Sequence, residues 1–339
     1  MSHIKFDSVT KRYKIKTNKK HLLYKNTEEI TVIDSLTFNI KVGEFVGYIG
    51  LNGAGKSTTI KILVGILFPD SGYVEVLERN PMEYRTEIAY EIGVVFGHRS
   101  QLLWDLPVRD TMELYKKLYR IPSNVYNDNK DMLIELLELD SLLSKCTREL
   151  SLGQRMRANI ALVCLYDPKI LFLDEPTIGL DVLAKETIRN FLRRINKEKK
   201  TTILLTTHDM KDIEETCDRV IFISEGKKIF DGNIKKFSTL ANDNKYICIT
   251  VNKNYDINYI ENLSIPGLTL QTFSKKRIVY KINDSSFNLN SILPIISKCL
   301  EIVGINFYKP NLEDSVKNIL KSGDKNEYTV SNGFSPKLY

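Results

Sequence analysis

Residues 50–58 read GLNGAGKST, a glycine-rich turn that fits G-x-x-x-x-G-K-[ST] through Gly50, Gly55, Lys56 and Ser57. An apolar run, Glu44 to Ile49 (EFVGYI), leads into it, and an amphipathic run, Thr58 to Leu67, leads out. Strand, glycine-rich loop and helix in that order constrain the fold, because the strand must deliver the loop to a helix N-terminus, where backbone N–H groups and the helix dipole favour an anion. Gly50, Gly53 and Gly55 let the backbone curl around a polyphosphate without Cβ clashes. Lys56 is expected to reach the β and γ phosphates and Ser57 to ligate Mg²⁺, with Asn52, Ala54 and Thr58 completing the cradle.

The rest of the chain supports an α/β reading. Ile92 to Phe96 (IGVVF), Ile170 to Leu173, Thr202 to Thr207 and Val220 to Ile223 are short apolar runs expected as buried strands, and Val182 to Asn196 and Met210 to Cys217 are expected as helices between them. Such alternation predicts a mostly parallel sheet covered on both faces. Short β-rich segments, Ile4 to Val9, Thr31 to Ile40 and Gly72 to Leu77, flank the cradle. Helical patterns fill about 100–165, at Val108 to Tyr119, Lys130 to Leu139 and Ser151 to Leu165, and predict a lobe inserted into the sheet domain.

With 339 residues the chain has room for two domains. Residues 1–235 are expected to form the first, 236–245 (polar and small residues) a linker, 246–320 a small α+β domain and 321–339 a loose tail. No uninterrupted apolar stretch approaches the roughly 18 residues that span a bilayer, and the start lacks an apolar signal core, so a cytoplasmic location is expected. Five scattered cysteines, never spaced C-x-x-C, support neither a disulfide framework nor a zinc site. The formal charge of +7 draws partly on Lys11 to Lys25 (KRYKIKTNKKHLLYK), expected as a solvated basic loop, with contact to lipid head groups or a membrane partner as the alternative.

In ILFLDEP, residues 170–176, four apolar residues end at Asp174, which places its carboxylate at the C-terminal edge of a buried strand, where open α/β sheets bind ligands. Asp174 is expected to hold Mg²⁺, and Glu175 beside it to orient and deprotonate an attacking water. His208 follows the Thr202 to Thr207 strand, so it reaches the same edge, and a neutral imidazole there can hydrogen-bond the γ-phosphate and hold Glu175 in place.

Leu150 to Arg157 (LSLGQRMR) resembles LSGGQ, the signature of ATP-binding cassette (ABC) ATPases. The resemblance covers about residues 4–235 and orders the motifs as that family does: Walker A at Gly50 to Thr58, signature at Leu150 to Gln154, Walker B at Ile170 to Asp174, Glu175 as base, a D-loop at Gly179 to Asp181, and His208 as the switch histidine. It implies a P-loop NTPase cassette with a mostly parallel sheet core, an antiparallel β subdomain and an inserted helical lobe. It also implies ATP and Mg²⁺ as ligands and head-to-tail pairing with a second copy or a paralogous cassette. In that pairing Ser151, Gly153, Gln154 and Asp181 of one copy face the nucleotide held by the other, the signature meeting it with a helix N-terminus. Tyr13 stands where cassettes place an aromatic that stacks on adenine, with Tyr24 as its rival.

Two positions depart from the family pattern. Leu152 replaces the first glycine of LSGGQ, and His98 stands where the Q-loop glutamine is expected; an imidazole cannot present an amide's oxygen and nitrogen together. Gln101 is a candidate substitute. The segment FGHRSQLLWDLP is similar to FGQRSQLWWDLP of bacterial exporter subunits whose permeases are separate chains, which implies integral-membrane permease partners, a site on the inner face of the membrane and no nucleic acid. There Trp104, Leu106 and Pro107 are candidates for a permease groove, with core packing as the alternative. FYKPNLEDSVKNIL, 307–320, resembles a P-x-L-E-D-x-F element of such subunits, which implies a structural role for Glu313 and Asp314. A soluble ABC ATPase acting on ribosomes or nucleic acid is the other class; such factors typically carry two cassettes, and this chain has one Walker A and one signature.

Overall fold

The computed structural model describes residues 2–17, 26–97, 99–242, 245–252, 265, 267–274, 276–283, 288–297 and 301–308. The chain divides into two compact units, Met1–Ile234 and Lys235–Tyr339.

The first unit holds two sheets. β1 (Ser2–Thr17), β2 (Asn26–Lys41) and β4 (Ser71–Val76) form an antiparallel sheet in the order β2-β1-β4. β3 (Phe45–Gly50), β5 (Ile92–Phe96), β6 (Ile170–Asp174), β7 (Thr202–Thr206), β8 (Arg219–Ser224) and β9 (Lys227–Asn233) form a sheet ordered β5-β6-β7-β3-β8-β9, parallel except for β9. β3, β6 and β7 are buried at every residue, as apolar strands covered on both faces require.

One register row of this sheet sets the site. Phe96 pairs with Asp174, Asp174 with Thr206, and Thr206 with Tyr48. The four chain segments that leave the C-terminal edge just beyond this row begin at Gly97, at Glu175, at Thr207–His208 and at the glycine-rich loop after Gly50. Because parallel strands place their C-terminal ends together, four sequence-distant segments meet at one edge.

Helices α1 (Lys56–Leu63), α2 (Arg85–Ala89), α6 (Val182–Lys199) and α7 (Met210–Thr216) connect the strands. Between β5 and β6 lie α3 (Val108–Leu118), α4 (Ser123–Leu136), two short 3₁₀ turns and α5 (Leu152–Cys164). α4 begins seven residues earlier than the sequence suggests, because its first half, SNVYNDNK, is polar. Tyr126, Asn129 and Leu133 nevertheless form its buried stripe, and Asn129 Nδ2 donates to Leu165 O at 2.9 Å.

Two further expectations are corrected. The basic segment from Lys11 is not a loop at its start, since β1 runs to Thr17 and pairs with β2 as far as Thr17–Asn26; residues 18–25, and with them Tyr24, lie outside the described residues. The expected linker at 236–245 holds α8 (Ile234–Asn242), whose Ile234 and Phe237 are buried three residues apart, a helical spacing hidden among small and polar neighbours.

The second unit contains an antiparallel sheet ordered β11-β12-β10-β13, from β10 (Lys245–Val251), β11 (Leu268–Ser274), β12 (Arg277–Ile282) and β13 (Ile302–Tyr308). Ile247, Ile249, Ile278, Tyr280 and Ile282 from its strands pack with Ile292 and Ile296 of α9 (Leu289–Ser297). Glu313, Asp314 and the segment 309–339 lie outside the described residues.

Candidate nucleotide site

The glycine-rich loop leaves β3 at Gly50, where an added Cβ would lie 2.5 Å from Ile223 O, so any side chain would displace the neighbouring strand. Gly55 has φ +104°, a left-handed conformation, and is the N-cap of α1 with no side-chain cap on the helix's first N–H groups. Gly53 and Asn52 are exposed at the tip, Ala54 is buried and its N–H donates to Leu51 O at 3.1 Å. Ser57 is exposed at the helix start and Thr58 half-buried.

Lys56 is 8% exposed, and its Nζ crosses the loop to donate to Gly50 O at 2.8 Å and Leu51 O at 3.2 Å. Burial lowers its pKa from the ordinary lysine value, opposed by the carboxylates of Glu175 and Asp174, which stand close enough to favour the ammonium. An ammonium short of compensation at an uncapped helix N-terminus is suited to phosphate oxygens.

Asp174 ends β6 nearly buried, and its Oδ1 accepts from Thr206 Oγ1 at 2.6 Å. Thr206 also accepts the Glu175 N–H, at 3.0 Å on its carbonyl and 3.1 Å on Oγ1. These bonds hold Glu175 at φ +55°, a conformation that costs a non-glycine residue roughly 1–2 kcal/mol. From there Glu175 Oε2 meets His208 Nδ1 at 2.6 Å, with the carboxylate mostly buried and the imidazole exposed. The structure thus brings Lys56, Asp174, Glu175 and His208 to one edge.

Ser151, Gly153, Gln154 and Asp181 form a second cluster. Ser151 is the N-cap of α5: its Oγ accepts from Gln154 N–H at 3.3 Å, and Gln154 Oε1 accepts from Ser151 N–H at 3.0 Å, a reciprocal capping box. Asp181 is the N-cap of α6, accepting from Ala184 N–H at 2.8 Å. Gly153 is packed so closely on α6 that an added Cβ would lie 3.0 Å from Ala184 Cβ and 3.8 Å from Asp181 Oδ2. Among the described residues no hydrogen bond or ion pair joins this cluster to Lys56 or Glu175.

Tyr13 lies on β1 opposite Ile30, 37% exposed, with Lys11 Nζ 5.8 Å from its ring centroid. His98 is outside the described residues. Gln101 is committed elsewhere. Its Nε2 donates to Val94 O, its Oε1 accepts from Tyr115 OH at 3.0 Å, and its N–H donates to Asn159 Oδ1 at 2.9 Å. Trp104 is 56% exposed with the Arg155 guanidinium 5.7 Å from its ring, so it is not core packing.

Fold and site together define a P-loop nucleotide-binding protein. A family model described as ABC transporter matches residues 33–178. Over 243 residues the chain is 31% identical to YhcH of Bacillus subtilis, named an uncharacterized ABC transporter ATP-binding protein, spanning 69% of this chain and 77% of that one. It is also 34% identical to the Nod factor export ATP-binding protein I of Ralstonia nicotianae, over 62% of this chain and 65% of that one. The methionine import ATP-binding protein MetN of Geobacillus kaustophilus is 35% identical, over 60% and 61%. Among solved structures, an ATP-binding cassette captured as a dimer in a post-hydrolysis state with ADP and Pi superposes with a TM-score of 0.59 at 27% identity, over 68% of this chain and 98% of that one. A Clostridium perfringens protein, cbiO1, described as part of the ABC transporter complex cbiONQ, gives 0.59 at 28%, over 70% and 91%. The chain belongs to the ABC transporter ATP-binding proteins, a family whose members are generally ATPases. Among the described residues no helix is long and apolar enough to cross a membrane.

Proposed function

We propose that this chain hydrolyses ATP and thereby powers export through a separate membrane permease, working at the inner face of the membrane. The observation that carries hydrolysis is the 2.6 Å contact between Glu175 and His208 at the edge that also presents Lys56. Lys56 and the α1 N-terminus hold the phosphates, Glu175 orients the attacking water and takes its proton, and His208 fixes Glu175 and reaches toward the γ-phosphate.

Asp174 and Ser57 fit Mg²⁺. Both offer hard oxygen ligands, Ser57 exposed at the start of α1 and Asp174 at the end of β6, as suits an ion held largely by substrate phosphates and water. When bound, the ion would neutralise developing phosphate charge. Tyr13 stacks on adenine in this reading, and His98 contacts the nucleotide in place of the family's glutamine.

The separation of the second cluster from Lys56 within one chain supports a composite site, completed when Ser151, Gly153, Gln154 and Asp181 of a second copy, or of a paralogous cassette, face the phosphates. Export is supported by the likeness to Nod factor export proteins and by the segment around Trp104, against the importer MetN.

Glu175→Gln tests the reading: turnover is abolished while ATP traps a dimer, seen as a doubled mass in solution. Wild-type turnover by that variant refutes the base. Failure to capture a permease chain from membranes with the tagged, ATP-trapped protein refutes the transport role.

A further inference from the structure

Asp212 is completely buried in the first unit, and its carboxylate bonds to segments that carry site residues. Its Oδ2 accepts from Thr177 Oγ1 at 2.5 Å and from Thr207 Oγ1 at 3.3 Å, and its Oδ1 accepts from Arg189 Nη1 at 2.9 Å. Thr177 follows Glu175 by two residues and Thr207 immediately precedes His208. Arg189, 4% exposed, belongs to α6, the helix capped by Asp181.

The loop around His208 is clipped on both sides. Thr207 Oγ1 also accepts from Asp209 N–H at 3.0 Å, and Asp209 Oδ2 receives Lys185 Nζ of α6 at 2.7 Å. A buried carboxylate and guanidinium offset each other's desolvation only when well paired, and an apolar pair of similar volume often stabilises a fold as well or better. What an apolar pair could not do is bond two threonines on two different loops at once.

We propose that Asp212 is a positioning residue for hydrolysis: through Thr177 and Thr207 it sets the mutual placement of Glu175 and His208. This rests on Glu175 being the base. Neither threonine faces the nucleotide in this role; each acts through the backbone next to a residue that does. Arg189 Nη1 holds the Asp212 carboxylate in place at 2.9 Å, so the four side chains act as one unit.

Thr177→Val and Thr207→Val, alone and together, remove only hydroxyls and leave the Asp212–Arg189 pair intact. They keep the test readable if Asp212→Asn fails to fold. The expected result is a kcat for ATP lowered on the order of 10- to 100-fold, an unchanged Kd for a fluorescent ATP analogue, and a changed chemical shift of the His208 imidazole in NMR. Thr207→Val placed on Glu175→Gln should leave the ATP-trapped dimer as it is in Glu175→Gln alone, because both act on hydrolysis and not on binding. A purely structural role would lower the melting temperature and leave the His208 imidazole signal and kcat as they are, which overturns the proposal. Wild-type kcat in the double threonine variant beside an inactive Glu175→Gln overturns the positioning role alone. A fully active Glu175→Gln overturns the base assignment and this proposal with it.

Discussion

Tyr115 donates its hydroxyl proton to Gln101 Oε1 at 3.0 Å, and that bond anchors the segment after β5 to the helical lobe. Tyr115 also stacks on Tyr119 at 5.4 Å, and Tyr119 lies flat on Tyr166 at 3.9 Å. Tyr166 in turn donates to Ile92 O at 2.9 Å. α3, the end of α5 and β5 are therefore tied by one run of tyrosines. Tyr115→Phe keeps the stack and loses the bond, so stability should fall by about 1 kcal/mol in urea unfolding. Trp104, the single tryptophan of the chain, reports the loosened segment through its fluorescence.

Gly97 sits where a Cβ would lie 2.5 Å from Glu175 O and 2.9 Å from Asp174 O. Backbone atoms of a packed strand end cannot retreat cheaply, so Gly97→Ala displaces Glu175. Steady-state turnover is expected to fall by at least about tenfold, with nucleotide binding largely retained.

At position 98 the prediction has the opposite sign. His98→Gln supplies the amide that a Q-loop normally offers to water and metal, so the ATPase rate is maintained or raised. A large loss in the same assay would show that the imidazole has its own task.

Acid sensitivity is expected at Glu91. Burial pushes its carboxyl up, but hydrogen bonds from Arg79 and Lys169 and their charges carry it net below the ordinary value. A folded-state pKa below the unfolded one adds stability above the unfolded value, about 4, and that stability is lost as pH falls through the folded one. Glu91→Gln should therefore destabilise the protein at pH 7, and the gap to wild type should close as pH drops below about 4, measured by thermal unfolding across pH.

Glu175→Gly and Glu175→Ala both lose the proposed base, so both are expected to be inactive. At φ +55° glycine is at ease and alanine is not, so the glycine variant should be more stable by about 1 kcal/mol, read as a difference in unfolding midpoint.

The parallel strands were legible because each is a continuous apolar run, and β6 and β7 match their expected spans to within a residue. The meeting of Lys56, Asp174, Glu175 and His208 at one edge was legible because each stands at or beyond the end of an apolar strand. β9 was missed: KKIFDGN shows little alternation, and its pairing is made by β8. The strand character of Lys11 to Thr17 was hidden because its lysines, arginine and tyrosine, KRYKIKT, give no period-2 apolar signal. Asp212 was invisible for another reason. In MKDIEET it reads as one more acid on a solvated helix face, and only the fold turns that carboxylate inward toward Thr177, Thr207 and Arg189.

The left-handed backbone of Glu175 also bears on how such a chain changes over generations. Folding disfavours a non-glycine residue at that angle, and under the proposed mechanism selection for turnover opposes its loss. In a duplicated copy released from that selection, position 175 is expected to drift early toward glycine or asparagine while the buried strand before it stays. A lapsed copy would then be recognisable from one codon, before any loss in its fold.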